Sequence, residues 1–173
     1  MLAFVACGRT APQRPTQRTS EPPKADSTIT SLLEINRRMA CEADKELLEL
    51  ADSLQRTSDT VYAQLFCGGW VSKPAPEERD KHLYDETPEF NQKWSVRLRT
   101  HRLDGTLVSD TEATYTIRKY ELPIAVEEAI EDMHAGETRT VLAPWYAAYG
   151  IHGEGNIAGY ENVIFEVTLK EKR

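Results

Sequence analysis

The chain has 173 residues, with 28 acidic and 21 basic side chains and a formal charge of −7. An acidic balance of this size argues against a nucleic-acid-binding face. No apolar run approaches the ~20 residues of a membrane-spanning helix, and the length admits one domain with a sizeable core plus an appendage. The three cysteines, Cys7, Cys41 and Cys67, are too few and too scattered for a closed disulfide framework or a Cys-x-x-Cys metal site.

In chain order, the stretch Leu2-Ala3-Phe4-Val5-Ala6-Cys7, followed by Gly8, resembles the end of a bacterial lipoprotein signal. Residues 1–7 are read as a signal remnant, and Cys7 as the lipidation site. Residues 8–26 hold Pro12, Pro15, Pro22 and Pro23 among polar side chains and predict a disordered tether, the bland alternative being an ordinary floppy terminus. Residues 27–56 predict an amphipathic helix: Leu32, Ile35, Met39, Leu47, Leu50 and Leu54 recur at helical spacing, with Asp44, Lys45 and Glu46 on the wet side. A lone amphipathic helix of this length must pack on the domain behind it or on a second copy of the chain, which would make a homodimer. Cys41 is expected to pack within it.

From residue 61 onward the pattern changes to strands. Val61–Phe66 reads as a strand ended by Gly68-Gly69, and residues 73–92, charged and containing Pro74, Pro76 and Pro88, read as an extended loop. Trp94, Val96 and Leu98 alternate with Ser95, Arg97 and Arg99, and Asp104-Gly105 marks a hairpin turn. Thr114–Ile117 is a further β-branched and aromatic run. Pro123 suits the first position of a helix, and Val126, Ala129, Ile130 and Met133 form one apolar stripe, with Glu127, Glu128, Glu131 and Asp132 expected to face outward. Thr138–Ala143 predicts another strand. In the last strand Val163, Phe165, Val167 and Leu169 share one face, and Ile164, Glu166 and Thr168 the other. Strands, one helix, then strands is an α+β pattern.

The run from Gly136 to Leu169, with its basic strand, its proline, Ala148-Tyr149-Gly150, a Gly-rich loop, Ile157 and a strand carrying Phe165, resembles the C-terminal half of FKBP-type peptidyl-prolyl isomerases. The resemblance extends over 61–173. With the helix and Asn36-Arg37 it is closest in kind to lipid-anchored bacterial envelope members, of the gliding-motility-associated type. It implies an antiparallel FKBP-like sheet wrapped around one short helix and preceded by the N-terminal helix. It also implies a peptidyl-prolyl cis-trans isomerase assisting the folding of exported proteins, periplasm-facing and held to a membrane only through its lipid. The partners would be proline-containing segments, with no nucleic acid, metal or cofactor. The alternative is a non-catalytic protein-binding module on the same fold.

Prolyl isomerisation needs no nucleophile, metal or base. It needs an apolar pocket for the ring and a donor for the substrate carbonyl. By resemblance, Tyr149 supplies that donor as the catalytic residue, while Ile157 and Phe165 line the pocket. Leu122 and Pro123 match an apolar pair whose backbone contacts substrate, and Val126 stands at the pocket floor, where the family often has tryptophan. Leu98, Val108 and Ser109 stand where the family has tyrosine, phenylalanine and aspartate, and Asp110 would serve for the last if the register slipped by one residue. The smaller side chains imply a shallower pocket and weaker or lost catalysis. The four histidines, His82, His101, His134 and His152, have no metal-ligand spacing and read as solvated or locally bonded.

Overall fold

The computed structural model describes residues 27–58, 60–74 and 87–173. The expected signal remnant, the tether and the centre of the 73–92 loop, with His82, lie outside them. The elements are α1 (Ser27–Thr57), β1 (Val61–Gln64), β2 (Trp70–Lys73), β3 (Lys93–Arg102), β4 (Leu107–Thr116), α2 (Ile124–Ile130), β5 (Thr138–Ala143), a 3₁₀ turn (Trp145–Ala147) and β6 (Val163–Lys172). The six strands form one antiparallel sheet in the order β1-β2-β5-β6-β3-β4. The fold is α+β, as the alternation of strands and a single short helix predicts. Among the described residues no helix is long and apolar enough to cross a membrane.

Period-2 alternation gives β6 two usable faces. Val163, Phe165, Val167 and Leu169 are fully buried on one side, where they meet Val126, Ala129, Ile130 and Met133 of α2 and its following turn. On the other side Ile164 packs with Leu142 against Leu47 and Ala51 of α1. The sheet therefore lies between two helices. β5 has the same double role: Val141 pairs with Phe165 and Leu142 with Ile164.

Four expectations change. First, Trp70–Lys73 is a strand, too short to show periodicity, and it returns from β1 through Gly68-Gly69. Both glycines have positive φ, 88° and 89°, and a Cβ on Gly69 would lie 2.4 Å from the Leu142 carbonyl oxygen, so the turn needs glycine on two grounds. Second, β4 begins at Leu107, well before Thr114. It is an edge strand, largely solvent-exposed, so its polar sequence shows no alternation. Third, only the C-terminal part of α1 packs on the sheet; Leu32, Leu33 and Ile35 are exposed, and so is Cys41. Fourth, Glu127 and Glu128 do not face outward as solvated charges.

Glu127 is buried and accepts the Arg118 amide at 2.9 Å. Glu128 accepts the amides of Phe66 and Cys67 at 2.5 and 3.0 Å, tying the β1–β2 turn to α2. Burial opposes ionisation of Glu128, but those two amides outweigh it and hold its carboxyl below the usual range. At the same place burial first, and then the Glu128 carboxylate, push the Cys67 thiol up to about 12. α2 itself starts at Pro123, whose carbonyl accepts the Val126 and Glu127 amides at 2.9 and 3.0 Å. It ends earlier than Met133 because the chain tightens into i→i+3 bonds, Glu131 to Glu128 and Met133 to Ile130.

Phe165 has no exposed surface and touches the centre of the inner core. Phe165→Ala is expected to cost on the order of 3–5 kcal/mol. Urea denaturation measures this directly; an unchanged midpoint would mean that the inner face of β6 does not carry the core.

Candidate functional site

Tyr149 is placed by a short chain reversal. Pro144 leads into the 3₁₀ turn, the Ala147 amide bonds the Pro144 carbonyl at 2.9 Å, and the Gly150 amide bonds the Trp145 carbonyl at 2.7 Å. Gly150 closes the reversal with φ of 70°. The turn lays the Tyr149 ring against Phe165, with centroids 5.7 Å apart and planes at 63°, an edge-on contact favoured by the aromatic quadrupole. The Tyr149 hydroxyl lies 3.2 Å from Thr100 Oγ1.

Thr100 is fully buried and sits opposite Phe165 in the β3–β6 register. Its hydroxyl is the hydrogen-bond partner of the Tyr149 hydroxyl, and either oxygen can donate. The sequence reading passed over this residue, although the alternation Trp94, Val96, Leu98 runs on to it.

The structure brings the expected apolar residues together. Leu98, Leu122, Val126, Ile157 and Phe165 belong to one buried cluster, with Val108 and Tyr149 packed on its edge. Val108 is the extra residue at a β-bulge, since Thr100 pairs with Ser109 and His101 with Leu107; a bulge re-aims the side chain that it carries. Ile157 is held in a tight turn by paired bonds with Glu154, 3.1 and 2.9 Å. Its loop is fastened by Arg102, which donates to the Asn156 carbonyl at 2.6 Å and pairs with Glu161 at 3.2 Å.

Three site expectations are refined. Val126, expected at the floor of a shallower pocket, and Leu98, expected in place of a wall tyrosine, are 0% and 5% exposed, so neighbouring side chains close over them. Pro123 has no amide N–H, and its carbonyl is engaged by two helix amides, so its backbone offers no donor to a ligand. Asp110 cannot replace Ser109. It pairs with Arg99 across the strands and receives both Nε and Nη2 of Arg97, at 2.9 and 2.7 Å, on the face opposite Leu98 and Thr100. The bond from Arg97 leads in lowering its carboxyl to about 2.

Tyr149 and Ser109 are thus the side-chain donors among the expected residues. Burial raises the Tyr149 phenol above its usual value, with the Thr100 bond opposing, so it remains a neutral O–H donor.

Residues 85–170 match the family described as FKBP_C, FKBP-type peptidyl-prolyl cis-trans isomerase. That segment is similar to an FKBP-type domain. Two solved structures share the fold of the chain. The crystal structure of FkpA from Escherichia coli superposes with a TM-score of 0.59 at 14% identity, covering 86% of this chain and 73% of that one. A peptidyl-prolyl cis-trans isomerase from Pseudomonas syringae gives 0.51 at 17% identity, covering 74% of this chain and 94% of that one. No curated protein matches in sequence. The matched segment holds all the expected pocket residues, whereas α1 precedes it.

A phenol with a raised value favours the fold while it is neutral. That contribution is complete below the ordinary tyrosine value and is lost as pH rises through the folded-state value. In an ultraviolet pH titration the component missing from Tyr149→Phe should therefore ionise above 10.0, and Thr100→Val should move it higher still. Ionisation of Tyr149 together with the exposed tyrosines would contradict the burial.

Proposed function

We propose that the protein is a peptidyl-prolyl cis-trans isomerase acting on proline-containing segments of exported proteins. Rotation about the peptide bond has a barrier of about 18–20 kcal/mol because resonance is lost. An apolar enclosure favours the twisted amide, whose charge separation is reduced, and a hydroxyl donated to the substrate carbonyl fixes the flanking peptide. The observation that carries this reading is the Tyr149 hydroxyl, held by Thr100 while its ring stands on Phe165 at the edge of the Leu98–Val126–Ile157 cluster. Tyr149 donates, Thr100 orients, and Ile157, Phe165, Leu122 and Val108 furnish the apolar wall, with Ser109 and Pro123 at its margin.

A second reading has its own support. Leu98, Val126 and Phe165 are closed to solvent, which leaves less apolar surface for a proline ring. On that reading the domain binds polypeptide without catalysis. A protease-free isomerisation assay on a proline peptide separates the two. Acceleration over buffer, reduced about tenfold or more in Tyr149→Phe, supports the isomerase. Buffer-level rates from folded protein leave the binding module.

We also propose that Cys7 is acylated and tethers the domain to a membrane of the bacterial envelope, in the manner of the lipid-anchored, gliding-motility-associated members. The support is the small-residue stretch ending at Cys7 and the Pro-rich run that follows it. Stable anchoring takes more than one acyl chain. Labelled palmitate should enter the protein expressed with a complete signal and be absent from Cys7→Ser, which should leave the membrane fraction; equal labelling of both would end this reading.

A further inference from the structure

Among the described residues, polar contacts join the N-terminal helix to the segments that build the pocket, and three of them are specific side-chain hydrogen bonds. Tyr146 of the 3₁₀ turn donates to Asp44. Tyr160 of the following loop donates to Asn36 at 2.6 Å. Asn162 donates through Nδ2 to Glu46 at 2.7 Å.

The third contact continues further than the other two. Asn162 is 8% exposed, and its Oδ1 accepts the buried Trp145 amide at 2.9 Å. The Trp145 carbonyl in turn accepts the amides of Ala148 and Gly150, at 3.2 and 2.7 Å, the residues on either side of Tyr149. Asn162 also directly precedes β6, three positions before the Phe165 ring on which Tyr149 rests. One side-chain amide therefore fixes both the turn that carries the donor and the start of the strand that carries its platform. Because a carboxamide has one accepting and one donating end, the Glu46 carboxylate selects which end of Asn162 faces Trp145.

We propose that Asn162 is a positioning residue for Tyr149, set by Glu46, so that α1 helps determine the geometry of the pocket. This goes beyond the isomerase reading and rests on it for its catalytic consequence. Removing the acceptor of the Trp145 amide loosens the turn and lets the Tyr149 hydroxyl drift from Thr100. A misplacement of about 1 Å lowers rates steeply, by up to about a hundredfold.

The test uses the full chain with Asn162→Ala, Glu46→Ala and the double variant, and Glu49→Ala as a control on the same helix. Two readouts are taken at a temperature where each variant is folded by circular dichroism: kcat/KM for a proline peptide, and the ultraviolet titration of Tyr149. Expected are a loss of about tenfold in kcat/KM for Asn162→Ala, a smaller loss for Glu46→Ala, a double variant no worse than Asn162→Ala, and a displaced Tyr149 titration in each. Glu49→Ala should match wild type. Reduced melting temperatures with wild-type kcat/KM and wild-type Tyr149 titration would overturn the proposal and leave Asn162 as a stabilising contact only. If wild type shows no isomerisation, the functional reading fails while the Tyr149 titration still decides the positioning role. Glu46→Ala, which alters an exposed helix side chain, keeps that decision open if Asn162→Ala does not fold.

Discussion

The structure depends on a strand that makes apolar contacts on both faces. β6 and its neighbour β5 place Phe165 and Val141 in the inner core, and Ile164 and Leu142 in the outer one, so two hydrophobic contacts share a single pair of strands. A one-residue slip would exchange both sets at once and is therefore opposed from two sides. That fixed register puts Thr100 opposite Phe165 and Leu98 opposite Val167. The relation between the Tyr149 hydroxyl and its apolar surroundings follows from it.

Around this frame the chain uses charged groups as clasps for backbone that no strand or helix could satisfy. Glu128 holds the β1–β2 turn, Glu127 holds Arg118, and Arg102 holds the Asn156 carbonyl. Arg118 and Tyr120 have φ of 60° and 56°, an unfavourable region for residues with a Cβ, and the Glu127 carboxylate is one of the contacts that sustain it. Buried backbone donors left without partners would cost more than the clasps do. Side chains that look like a solvated helix face in the sequence are thereby drawn into the architecture.

The parts of the fold legible in the sequence are those where one residue's environment repeats along an element. β6 alternates cleanly because its inner face is buried while its outer face is only partly covered, α2 shows its stripe because one side meets the sheet, and Ala148-Tyr149-Gly150 shows its turn through glycine. β2 has only four residues and β4 lies at an exposed edge, so neither shows a period. α1 shows a stripe longer than the surface it covers; Leu32 and Ile35 continue the pattern of Leu47 but are exposed among the described residues. In the site, the apolar members and Tyr149 were legible by family likeness. Thr100 was within reach of the alternation that located Leu98. Asn162, Glu46 and Trp145 were not, because their relation joins segments more than a hundred residues apart and rests on side-chain amide geometry that leaves no periodic trace.

The surroundings of Cys67 bear on how the chain withstands oxidation. A thiol at about 12 is ionised in roughly one molecule in 10⁵ at neutral pH, and thiol–disulfide exchange proceeds through the thiolate. Burial first, and then the Glu128 carboxylate that secures the hairpin, therefore keep a cysteine chemically quiet beside the core. Between the two cysteines in the described residues, the solvent-facing Cys41 on α1 is the one left open to mixed disulfides or alkylating reagents, and it lies outside the inner core.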